Sequence, residues 1–236
     1  MDDRPDFEQM RREHEEAPRA PRPGPYAERQ DFVAPLGSAT SGRLVFARGI
    51  SRVTFRAEAS MDDLFRAHFE GAIPDVRVQG NAVTIRYPYF SPFDWLRYAL
   101  YWGHQEGEIT LNASIPWDIE VHGGASGIDA DLEGLQMRSL DIGGGVSSIR
   151  LTLARPSGIV PIRIHGGASK LSLHRPHDVA VRVHVRGGVS ALSLDDQYFG
   201  AVGGETRWET PEYRQAGDAY DIIVSGGASN LYVASR

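Results

Sequence analysis

The chain of 236 residues has no cysteine. That removes disulfides, thiol chemistry and every zinc site built on thiolate. Lysine is nearly absent too: Lys170 stands alone against 24 arginines. The arginines are scattered over every segment, as codon bias would scatter them, rather than gathered into an anion-binding patch. There is no excess of positive charge. The formal net charge is -6, which argues against a general nucleic-acid binder. No apolar run approaches the ~20 residues of a membrane span. The first thirty residues hold no apolar core of a secretory leader. Together these predict a cytoplasmic protein. What is present is ordinary: 41% hydrophobic residues, 24% charged, 26 glycines. A body of this size buries roughly 70% of its extended-chain surface and needs no staple.

Residues 1–33 stand apart. They are rich in proline and charge and poor in large apolar side chains. Such a segment buries too little to offset its ordering entropy, so a disordered tail is expected. Residues 34–236 then form the folded domain.

That domain contains a repeat. Gly123-Gly124-Ala125-Ser126-Gly127-Ile128 recurs as Gly144-Gly145-Val146-Ser147-Ser148-Ile149 and Gly166-Gly167-Ala168-Ser169-Lys170-Leu171. It recurs again as Gly187-Gly188-Val189-Ser190-Ala191-Leu192 and Gly226-Gly227-Ala228-Ser229-Asn230-Leu231. The spacings are 21, 22, 21 and then 39 residues, so an insertion follows Asp195. Between motifs the apolar residues alternate, as in Leu140 and Ile142 or Leu171 and Leu173, which is the period of half-buried strand. A two-strand unit cannot bury its apolar face alone, and stacking equal units can. The expected fold is all-β: a right-handed β-solenoid of ~21-residue coils. Regular coils should span 113–236 and irregular opening coils 34–112, where Gly49-Ile50-Ser51-Arg52-Val53 is a worn copy of the motif.

Within the motif, one glycine is expected to supply positive φ and the other to let coils approach without a Cβ. The serine is expected to bond local backbone or the serine of the next coil. It resembles a nucleophile only superficially. In Gly124-Ala125-Ser126-Gly127 the second glycine follows the serine directly, where the nucleophile motif G-x-S-x-G needs a residue between, and five copies are too many for one active site.

One short helical insert is expected over 91–103, with Ser91 as N-cap and Pro92 in the first turn. Phe93, Trp95, Tyr98, Tyr101 and Trp102 make it apolar on two faces. It would plug a solenoid end, serve as an interface, or lie on a membrane surface. The insertion 195–219 carries Tyr198, Phe199 and Trp208, which would bind a partner or cover the last coil.

Candidate chemistry is thin. His122 and His165 share a repeat position two coils apart, roughly 9–10 Å, which is too far to share one metal. His174, His177 and His184 cluster around Pro176 without supporting carboxylates. Asp129, Asp131 and Asp141 would form an acidic strip that either serves calcium and a base, by fold analogy with β-helix polysaccharide lyases, or, as outward acids more often do, discourages strand slippage and aggregation. No phosphate loop or dinucleotide fingerprint appears.

The run from Gly166 to Leu173, then His177 to Val183, then Gly187 to Leu192, resembles bacterial adhesin-like β-strand-repeat proteins of unknown function. It is also similar to the toast-rack domain at the C-terminus of some cell-envelope stress-response membrane proteins. The resemblance covers 110–236 well and 43–87 loosely. It implies a solenoid used for binding or scaffolding, with no catalytic residues to carry over. The reading is therefore a non-catalytic binding or assembly scaffold, with no cofactor and no small-molecule substrate. Its partner would be a protein or a second copy of itself. A β-helix enzyme or binder acting on carbohydrate, and an envelope-stress accessory protein at the membrane surface, are the alternatives.

Overall fold

The computed structural model describes residues 28–48, 50–71, 73–87 and 106–236. The helical insert expected over 91–103, and residues 1–27 of the expected tail, lie outside the described residues. Within them the fold is all-β: eighteen strands and no helix, joined in one large sheet around one main apolar interior.

The chain enters through β1 (Glu28–Pro35) and makes a first unit of β2 (Gly42–Arg48) and β3 (Ile50–Glu58). Next come β4 (Asp63–Gly71), β5 (Asp75–Gln79), β6 (Ala82–Arg86) and β7 (Glu106–Asn112). Three similar units follow. They are β8 (Trp117–His122) with β9 (Ala125–Leu132), β10 (Met137–Gly143) with β11 (Val146–Leu153), and β12 (Ile159–His165) with β13 (Ala168–Arg175). The fourth repeat is β14 (Ala180–Val189) with β15 (Leu192–Leu194). After β16 (Gln197–Phe199) and β17 (Glu205–Glu209), the 17-residue strand β18 (Ala219–Ser235) serves as both halves of the fifth.

Stacking is parallel and residue for residue. One ladder runs β6, β2, β8, β10, β12, β18, β14. The other runs β7, β3, β9, β11, β13, β18, β15. Ile119, Leu140, Ile162, Ile222 and Val183 form one inward column, all buried. Ile128, Ile149, Leu171, Leu231 and Leu192 form the facing one. Each such side chain contributes about 1.5–3 kcal/mol of burial.

The order in space departs from the order in sequence at both ends. The fifth repeat, β18, lies between the third and the fourth. The opening unit β2–β3 lies between β6–β7 and β8–β9, so the worn motif does stack on the first regular one. A simple winding of coils in succession is therefore corrected. The reason is that coils with matching inward columns are interchangeable as neighbours. The insertion decides the order, because β16 and β17 turn back antiparallel onto β15 and β14 and occupy their outer edges. The chain then returns to the slot between β12–β13 and β14–β15.

The opposite end closes the same way. β5 pairs antiparallel with β6, β4 with β7, and β1 with β4. Residues 28–33, assigned to the tail from their composition, belong to this closing strand. Nor is 34–112 a run of irregular coils: only β2, β3, β6 and β7 join the parallel ladders. The outermost strands carry charge pairs that discourage further pairing, Arg77 with Asp75 and Arg207 with Glu209.

Polar contacts pin β18 in its slot. At its start, Asp218 accepts a hydrogen bond from the Gly158 amide at 2.6 Å, and Asp221 pairs with Arg182. At its end, the Asp195 carboxylate accepts from the Ser235 amide at 2.8 Å and from Arg175 at 2.5 Å. Arg175 comes from β13 and Asp195 from just beyond β15, so the pair reaches across the inserted strand.

Candidate functional site

The repeat motif shapes the outer surface. Inward Ala125, Val146 and Ala168 are followed by two outward residues before Ile128, Ile149 and Leu171 point in again. Strict alternation fails at this one step. The residue after the serine takes up the extra position, and it is left-handed in coil after coil. Arg52 (φ 50°), Gly127 (64°), Ser148 (54°), Lys170 (51°) and Asn230 (53°) form one column. None of them has a ladder partner, and both strands of each pair skip the same position, so the register is kept and the left-handed step repeats in every coil.

The stacked left-handed steps bend the sheet at the same place in each strand, and the bends line a groove of about 500 Å³ across β9, β11, β13 and β18. Its floor is the edge of Ile128, Ile149 and Leu171. One wall is the left-handed column. The other is Asp129, Arg150, Ser172 and Tyr232, which lie side by side. A second hollow of about 470 Å³ over β3, β7 and β4 shares Gly127 with it and continues the line.

The groove sets polar and charged rims on an apolar floor, and part of its charge is uncommitted. Lys170 is exposed and makes no ion pair among the described residues. Arg150 meets Asp129 only at 3.5 Å, with both side chains well exposed, a contact of small energy. The ring of Tyr232, 41% exposed, lies 5.6 Å from that of His174, whose Nε2 is 2.9 Å from the Ser172 hydroxyl. In the second hollow, Arg56 pairs with Glu108 at 2.9 Å. Hydrogen bonding of His68 to the Asp31 carboxylate, and then to Glu70, holds its pKa above the ordinary histidine range.

Sequence reasoning marked Lys170 only as the lone lysine and a motif member, gave it no binding role, and passed over Arg150. The visible signal was the pair of outward residues between inward Ala or Val and inward Ile or Leu. The motif's named residues have other places. Gly123, Gly144, Gly166, Gly187 and Gly226 all have positive φ and turn the chain from one ladder to the other. The last four are also crowded: a Cβ on Gly144 would lie 2.7 Å from the Gly123 carbonyl oxygen, and one on Gly166 2.9 Å from that of Gly144. Gly145, Gly167, Gly188 and Gly227 have open space where a Cβ would go, and Gly124 has only a contact at 4.0 Å. One glycine does both jobs, so the expected division of labour is corrected. Ser126, Ser147, Ser169 and Ser229 do lie side by side, with Ser190 beyond them. Among the described residues their hydroxyls make no hydrogen bond to each other or to backbone.

Of the aromatic candidates, Phe93, Trp95, Tyr98, Tyr101 and Trp102 lie outside the described residues. Tyr198 is 74% exposed on the edge strand β16, while Phe199 packs on the core. Trp208 on β17 also packs on the core and donates its indole N–H to Gln197 at 3.1 Å. These three are split between covering the last coil and facing solvent. His122 and His165 are separated by Gly143, two coils apart as expected. His165 sits 3.8 Å from Asp141, and Asp129 faces Arg150, so the acids alternate with cations. No group of three or more His, Asp or Glu among the described residues could hold a metal ion.

A family model described as the N-terminal domain of toast_rack, DUF2154, matches residues 27–174. No curated protein matches the chain. Among solved structures, a candidate cell adhesion protein from Clostridium sporogenes aligns with a TM-score of 0.65 at 16% identity. The match covers 89% of this chain and 99% of that one, and shows a shared fold. A candidate adhesin from Bacteroides fragilis aligns at 7% identity over 89% of this chain and 96% of that one, with a TM-score of only 0.26.

Proposed function

The chain belongs to the toast-rack family, and from that premise we propose that it is a non-catalytic binding module that meets its partner along the outer face of its stacked coils. The observation that carries this reading is the contrast between face and ends. Both ladders finish on antiparallel strands at both ends, whereas a groove with polar rims crosses the middle coils and meets a second hollow at Gly127. The description of the Clostridium sporogenes protein as a candidate in cell adhesion is in keeping with a surface-binding role. Right-handed winding of the coils is part of the same proposal. So is the absence of chemistry at the motif serines, which stand in several equivalent copies without a hydrogen-bonded base.

Light scattering over a concentration series tests it. A fixed monomer or dimer mass is expected. Growth into rods with rising concentration would move the function from the face to the ends and overturn the proposal.

A further inference from the structure

Resting on that reading, we infer that the groove over β9, β11, β13 and β18 binds a linear acidic glycan, with its carboxylates on Lys170 and Arg150. Three features select this ligand. The first is charge: Lys170 has no ion pair among the described residues and Arg150 only a long one. The two cations sit on adjacent strands of a chain whose net charge is negative. A carboxylate polymer would take up both.

The second is the rest of the lining. Asn230 and Ser172 offer amide and hydroxyl groups suited to sugar hydroxyls. The exposed Tyr232 ring offers a flat apolar face held in orientation by His174.

The third is spacing. Equivalent positions recur once per coil, roughly every 4.8 Å along the groove, and Arg150 and Lys170 stand on its opposite walls in neighbouring coils. A β-1,4-linked pyranose chain advances by nearly that interval per sugar and turns successive carboxylates to opposite edges, which matches one cation on each wall. An extended peptide advances about 3.3–3.6 Å per residue and falls out of step. Nor can a peptide add as a strand here, because β9, β11, β13 and β18 are each paired on both sides. Such a ligand belongs to cell envelopes and extracellular matrices. The inference therefore favours the envelope over the cytoplasmic placement expected from composition.

Calorimetric titration of the full chain tests it with three probes of equal length, about six residues to span four coils and both rims. They are oligo-β-mannuronate, its uncharged β-mannan counterpart, and oligoglutamate. Mannuronate should bind, and the affinity should fall with added salt. The double variant K170E/R150E should weaken it at least about tenfold, and Tyr232→Ala several-fold, both with unchanged thermal melting. Lys170→Arg should retain binding. Equal binding of mannan or glutamate, indifference to these variants, or no binding of mannuronate would overturn the inference. A fixed mass in light scattering would leave the binding-module reading standing in that case. Concentration-dependent rods would remove that reading whatever the titrations gave.

Discussion

At the scale of single residues, the two glycines of each motif look equivalent in the sequence and are not. Gly166 has φ of 94°, and a Cβ there would press on the Gly144 backbone. Gly167 has open space. Gly166→Ala should therefore lower stability by roughly 1–3 kcal/mol from backbone strain, with the contact adding to it. Gly167→Ala should change it by less than about 0.5 kcal/mol. Urea denaturation of the two variants checks this, and equal losses would refute the assignment. That a glycine corner exists was legible, since a pair recurring at constant spacing needs a backbone reason. Which member is crowded was not, because the answer lies in the neighbouring coil. The left-handed column was half legible. Two outward residues in succession mark the step at Ser147 and Ser148, but only stacking makes a groove of it.

At the scale of elements, β18 holds the design together. It is the last strand in the chain and an interior strand of both ladders. Its far end is secured by Asp195, which binds the Ser235 amide and the Arg175 guanidinium together. Arg175 is 3% exposed, its Nε already lacks a hydrogen-bond partner, and burial lowers its pKa despite the Asp195 charge. Asp195→Asn tolerates the positive φ at that site and strands a buried cation. It should cost about 3 kcal/mol, and adding Arg175→Met should restore much of that. Chemical denaturation of the single and double variants reads the effect, and additive losses would count against the clamp. Strand positions were legible from alternation, in β11 and β13 most plainly. The placement of β18 was not. Its inward Ile222, Val224 and Leu231 fit beside any other repeat, so nothing local to it names its neighbours.

At the scale of the whole molecule, the all-β class and the stacking of two-strand units followed from the repeat, and the closure of its ends did not. Two-strand units with one apolar face had to stack. The closing strands β1, β4, β5, β16 and β17 carry no motif, and their antiparallel pairing depends on turns outside the repeat. Closed ends are what direct the proposed binding role to the face. That account rests on the coil order, since the fifth repeat must lie inside the stack for the fourth to meet the closing strands. The chain has no native cysteine, so cross-linking reads the order cleanly. Ser169 and Ser229 face each other in register, about 4.8 Å apart and within disulfide reach. Ser169 and Ser190 are separated by the β18 coil, roughly 9–10 Å, beyond that reach. Under mild oxidation the S169C/S229C variant should form an intramolecular disulfide and S169C/S190C should not. The reverse result would mean that the repeats stack in the order of the sequence, and would contradict the account.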